Sequence, residues 1–112
     1  MPRDEDELAH DPLLARLLAV IVKSAAPRKV ILFGSRARGD ARSDSDFDFL
    51  IIKDGVDNER DVARAVYRSL FEDETTAPVD LIALDTKVFE KRKGELGMIY
   101  RVANEEGVVV YG

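Results

Sequence analysis

The sequence predicts an α/β (α+β) fold in which a small mixed β-sheet is covered by helices. Three observations carry that expectation. Four short apolar runs, "RKVILF", "FDFLII", "VDLIAL" and "GVVVY", are rich in branched or aromatic residues and bounded by glycine, proline or charged turn residues, as strands are. Other segments place apolar residues every three or four positions, the period of a helix packed on one side. The resulting order is helix, strand, strand, helix, strand, helix, strand, with no linker, repeat or low-complexity segment in 112 residues, so a single domain is expected.

Taken in order, residues 1–10 carry the run "DEDE" at 4–7 and are expected to form a flexible acidic tail. Residues 11–25 put Leu13, Leu14, Leu17, Leu18, Ile21 and Val22 at helical spacing, with Asp11 as N-cap and Pro12 at the first helical position. A buried strand follows over 28–33 and is closed by Gly34-Ser35, which opens a turn or short helix. The second strand, 47–52, ends at Lys53, Asp54 and Gly55. From Asn58 to about Glu72, Val62, Val66 and Leu70 recur every four residues beside Ala63, Tyr67 and Phe71, which predicts a second amphipathic helix. Pro78 sets the approach to the strand 79–84. A third helix is expected from Thr86 to about Asn104, weakened by Gly94 and Gly97, and Gly107 precedes the last strand. Tyr67, Tyr100, Tyr111 and the phenylalanines fall at core spacing and are read as packing residues, and His10 as a surface residue.

Composition narrows the function. There is no cysteine, so disulfides, thiolate metal sites and cysteine nucleophiles are excluded. The N-terminus is acidic where a signal peptide is basic, and no apolar run approaches the roughly 18–20 residues of a membrane span, so a cytoplasmic protein with no membrane role is expected. A net charge of −5 disfavours a dedicated nucleic-acid binder. Arg28, Lys29, Arg36, Arg38 and Arg42 nevertheless cluster within fifteen residues beside the single acid Asp40, a local positive field suited to a small polyanion.

The stretch "FGSRARGDARSDSDFDF", residues 33–49, concentrates this charge. Alternation along a strand sends Asp46 and Asp48 to one face and Phe47 and Phe49 to the other. Adjacent carboxylates repel one another, and a hard divalent cation, Mg²⁺ or Mn²⁺, offsets that while bridging to substrate phosphates. The phosphate side is present too: glycine lets backbone approach a ligand, free N–H groups at a helix start favour anions, and Ser35 adds a hydroxyl. The stretch has neither the Lys-Ser/Thr of a P-loop nor the glycine spacing of a dinucleotide fold.

Gly34-Ser35, ten residues, then Asp46-x-Asp48, with Ala37, Arg38 and Gly39 inside the gap and Ser45 before the first aspartate, resembles the signature of the DNA polymerase β-like nucleotidyltransferase superfamily. The resemblance extends to a third carboxylate on the neighbouring strand, matched by Asp80; Asp54 and Asp85 lie at strand ends, where turns favour aspartate in any case. Size and the closing "EEGVVVYG" look most like the minimal nucleotidyltransferases, which include MntA-type antitoxins encoded beside helical HEPN-type partners.

That resemblance implies transfer of a nucleoside monophosphate, AMP from ATP, to a hydroxyl with loss of pyrophosphate. Asp46 and Asp48 would ligate two Mg²⁺ ions. Asp80 would ligate one of them and assist deprotonation of the acceptor; Gly34, Ser35, Arg38 and Ser45 would serve the nucleotide. With some sixty residues after Asp48, the acceptor is expected from a partner chain, a second copy in a homo-oligomer, or a tyrosine on a HEPN-type toxin. Two alternatives stand beside this: a catalytically idle nucleotide-binding protein that docks on a partner, and a small-molecule, aminoglycoside-type nucleotidyltransferase.

Overall fold

The computed structural model describes residues 10–92 and 106–112. The acidic tail, Tyr100 and most of the long helix expected to reach Asn104 lie outside the described residues.

Helix α1, Pro12–Ala25, begins where the sequence places it: the Asp11 carboxylate accepts the Leu13 and Leu14 N–H groups, both at 3.1 Å, and Pro12 needs no partner there. Strand β1, Lys29–Phe33, runs directly into the five-residue helix α2, Gly34–Arg38. Strand β2 covers Phe47–Lys53, and Asn58 caps helix α3, Glu59–Glu72, through the N–H groups of Arg60 and Asp61. Strand β3, Val79–Asp85, continues into helix α4, Thr86–Arg92, and strand β4 is Val108–Tyr111.

The sheet order is β3-β2-β1-β4. β1 is antiparallel to both β2 and β4, whereas β2 and β3 are parallel, because α3 carries the chain back across the sheet between them. The mixed sheet expected from the sequence is therefore observed.

Alternation decides what each face buries. Val30, Leu32, Phe47, Phe49 and Ile51 face α1 and α3, meeting Leu14, Leu17, Ile21, Val66 and Leu70. Ile31, Phe33, Leu50, Ile52 and Leu84 face the other way and pack with Phe89 of α4. Burial of these side chains, worth about 1.5–3 kcal/mol each, makes a one-residue slip of β2 prohibitive, since every side chain would change face. Asp48 belongs to the α4 face, paired with Phe33 across the antiparallel ladder. Rigid strand register thus sets which way this carboxylate points.

Three aromatic residues read as core packing are instead exposed. Phe71 is 84% accessible, Tyr67 40% and Tyr111 39%. The α3 stripe that reaches the sheet is narrower than its composition suggests: Phe71 follows the buried Leu70 by one step, a rotation of about 100° that turns it to solvent.

Candidate active site

The centre of the site is the junction of β1 and α2. Gly34 sits at φ 70°, in the left-handed region, and a β-carbon there would overlap Asp48 Oδ2 and stand 3.1 Å from Asp48 Cγ. Only glycine lets the strand turn into the helix while the Asp48 carboxylate lies against it. Ala37, fully buried, pins α2 to the core, and Gly39 at φ 86° ends it by donating to Ser35 O at 3.0 Å.

The loop between α2 and β2 is held from within. The Arg36 guanidinium donates to Ser45 O at 3.0 Å through Nη2 and at 3.3 Å through Nε, and to Ser43 O at 3.3 Å. It also lies 4.3 Å over the Phe47 ring, so one side chain ties α2 to the start of β2. Ser45 closes a turn: its Oγ accepts the Arg42 N–H at 2.8 Å while its own N–H donates to Arg42 O at 3.0 Å. The three arginines are thereby told apart. Arg36 braces the loop, Arg42 lies at an exposed turn, and Arg38, which meets Asp40 at 3.3 Å, is the one whose charge acts on Asp48.

Three carboxylates share this end of the sheet. Asp48 and Asp80 are register partners on the parallel strands β2 and β3, and Asp46 immediately precedes β2. Neighbouring parallel strands are about 4.8 Å apart, so the two backbones bring these side chains together on one face. The Phe47 N–H donates to Pro78 O at 2.9 Å, which secures the register at the site itself. Burial pushes the Asp48 carboxyl above its ordinary value of 3.8, the negative charges of Asp80 and then Asp46 push it further, and Arg38 partly opposes them.

Tyr67 of α3 joins from the β3 edge. Its hydroxyl accepts the Leu81 N–H at 2.9 Å and donates to Asp80 Oδ1 at 3.4 Å. Burial holds this phenol above its ordinary value; the Leu81 N–H works the other way, and the charges of Asp80 and Asp46 add to the upward push.

Asp54 and Asp85 stand elsewhere. Asp85 is at the C-terminal end of β3, about 16–17 Å along the strand from Asp80. Its two oxygens accept the Val56 N–H at 2.9 Å and the Lys87 N–H at 2.9 Å, which keep its carboxyl below the usual range. Asp54 pairs with Arg28 at 3.0 Å. Asp85 thus secures the turns around it, and Asp54 ties the end of β2 to the residue before β1.

Among the described residues, no three acidic or histidine side chains are drawn tightly enough together in this conformation to enclose an ion. The chemistry of the donor set is nonetheless that of a hard-cation site: Asp46, Asp48 and Asp80 offer carboxylate oxygens at one end of the sheet, and burial first, then the charges of Asp80 and Asp46, disfavour the ionised form of Asp48 in the absence of a countercharge.

Sequence reasoning missed the roles of Tyr67 and Arg36. Neither has a signal along the chain, since helix spacing marks Tyr67 only as a neighbour of Val66, and Arg36 is one arginine of three.

A mixed sheet that sets register-paired aspartates beside a strand, Gly-Ser and helix junction defines a class of nucleotide-handling α/β domain. The family model described as a nucleotidyltransferase domain matches residues 15–110, and the chain belongs to that family. Its members transfer nucleotides from NTPs and generally use a divalent metal. The comparison with curated proteins finds no match. No helix among the described residues is long and apolar enough to cross a membrane.

Proposed function

We propose that this domain transfers AMP from ATP to a hydroxyl on a partner protein, releasing pyrophosphate. The observation that carries the reading is the approach of Asp48 to Gly34 on one side and its pairing with Asp80 on the other. Together they set carboxylates against a backbone bend able to receive a triphosphate.

In this mechanism Gly34 and Ser35 receive the β- and γ-phosphates, through backbone N–H groups at the start of α2 and the serine hydroxyl, while the missing side chain of Gly34 makes room for Asp48. Arg38 neutralises charge building on the triphosphate and on the Asp48 side of the site. The Ser45 hydroxyl hydrogen stays available to the nucleotide, because that group accepts from Arg42 rather than donating. Asp46 and Asp48 would hold the two Mg²⁺ ions, with Mn²⁺ as a substitute, and Asp80 would share in that ligation. When bound, such ions polarise the α-phosphate and stabilise the leaving pyrophosphate. Asp80, the most exposed partner on the edge strand, faces the entering acceptor and takes its proton as the hydroxyl oxygen attacks the α-phosphorus in line.

The acceptor we favour is a tyrosine on a helical HEPN-type partner, which makes the domain the antitoxin of a cytoplasmic pair. The resemblance to minimal nucleotidyltransferases supports this.

The test is incubation with α-labelled ATP, Mg²⁺ and the purified helical partner, alongside Asp48→Asn. Label on the partner, released pyrophosphate and neither with Asp48→Asn are expected. Binding of Mg-ATP by calorimetry with no label on any protein would leave an idle nucleotide-binding module and overturn the proposal; label on an added aminoglycoside alone would replace the protein acceptor with a small molecule.

A further inference from the structure

Asp80 lies on an edge strand and is exposed, so nothing on its own strand fixes the side chain. An exposed aspartate samples several rotamers, yet a group that must reach both an ion and an acceptor proton is effective only when held. α3 packs on the opposite face of the sheet from Asp48, and its core residues Val66 and Leu70 are buried there. Tyr67 alone among the residues described on that helix carries its functional group round the β3 edge to the carboxylate end.

The hydroxyl is used in both directions. It accepts the Leu81 N–H at 2.9 Å, an amide on the side of β3 turned away from β2, and its hydrogen goes to Asp80 Oδ1 at 3.4 Å. Accepting from the backbone fixes where the oxygen stands, and that leaves the hydrogen directed at the carboxylate. One oxygen of Asp80 is thereby engaged and the other left for a ligand.

We propose that Tyr67 is a positioning residue for Asp80: anchored on the Leu81 N–H, it holds the carboxylate in the rotamer that completes the metal and acceptor site, an inference that rests on the nucleotidyl-transfer reading above. Orienting partners of metal-ligating groups typically contribute about 10–100-fold to affinity or activity. The same arrangement closes the exposed amide of the edge strand, so one hydroxyl serves the sheet and the site.

The experiment is Tyr67→Phe, which keeps the ring and removes only the hydroxyl, compared with Asp80→Asn and the double variant. Expected results are a kcat lower by about tenfold or more with KM for ATP unchanged, and weaker Mn²⁺ binding to the nucleotide-free protein measured by electron paramagnetic resonance. In the Asp80→Asn background, Tyr67→Phe should change neither quantity. Backbone amide spectra should shift near Leu81 only, showing that the fold persists. Unchanged kcat and Mn²⁺ affinity in Tyr67→Phe, or effects that multiply independently with those of Asp80→Asn, would overturn the role. So would a nucleotidyl adduct on Tyr67 in intact-mass analysis, because the hydroxyl would then be an acceptor. Failure of the underlying reading looks different: the unsubstituted protein would itself show no transfer, and its Mn²⁺ binding would survive Asp48→Asn.

Discussion

The backbone of Gly34 lies directly against the carboxylate of Asp48, so closely that a β-carbon at position 34 would overlap Oδ2. Residues fourteen apart in the chain are thus fitted to each other, the first opening α2 directly after β1 and the second on the strand antiparallel to β1. The fit is what joins the bend between β1 and α2 to the acidic cluster.

Gly34→Ala should therefore cost both stability and activity. The left-handed φ of 70° alone disfavours a residue with a β-carbon by about 1–2 kcal/mol, and the collision with Asp48 adds to it. In an Asp48→Ala background the penalty should fall to the backbone contribution, which urea denaturation of the four proteins would measure. Strict additivity would show that the two residues do not touch.

The raised proton affinity of Asp48 makes a pH prediction. Because its folded value lies above 3.8, the fold favours the protonated form; that favourable contribution is complete below the unfolded value and is lost as pH rises through the folded one. Metal-free Asp48→Asn, which stays neutral, should accordingly be more stable than the parent at pH 7, with the difference shrinking as pH falls towards 4. Urea midpoints at the two pH values test this. Saturating Mg²⁺ should reduce the difference at pH 7 by stabilising the parent alone.

Arg36 and Arg38 should separate cleanly. Arg36→Lys removes the forked bonds to Ser43 and Ser45 and the stacking on Phe47, and should destabilise by about 1–3 kcal/mol, since an ammonium cannot reproduce a planar fork. Arg38→Ala should melt like the parent but raise KM for ATP by about two- to fivefold, the size of a half-exposed charge contact. Thermal melts and steady-state kinetics on both variants decide the matter.

The two ends of β3 should behave oppositely. Asp80→Asn should lower transfer by more than about a hundredfold with little change in melting temperature, exceeding the loss expected for an orienting group. Asp85→Ala should lower the melting temperature, because the Val56 and Lys87 N–H groups lose their acceptor, and leave kcat in place. Equal loss of activity in both would show that position along the strand does not define the site.

Much of this was legible in the chain because it is local. Asp11 before Pro12, the alternation of Phe47, Asp48 and Phe49, and Gly34 at the end of an apolar run are statements about neighbours, and caps, pleats and turns depend on neighbours only. The Gly-Ser and Asp-x-Asp spacing belongs to the same kind, since one connection between adjacent strands contains it all.

What needed the tertiary structure is whatever crosses between elements. The residue-by-residue register that sets Asp48 opposite Asp80 depends on a parallel pairing made through α3, and the bracing of the loop by Arg36 depends on the Ser43 and Ser45 carbonyls that its guanidinium meets. The exposure of Phe71 and the reach of Tyr67 round the sheet edge follow from how α3 is rotated against the sheet, an angle decided by packing of the whole stripe. Periodicity names the residues on a helix face; only the packed core determines how far that face extends and what its margin touches.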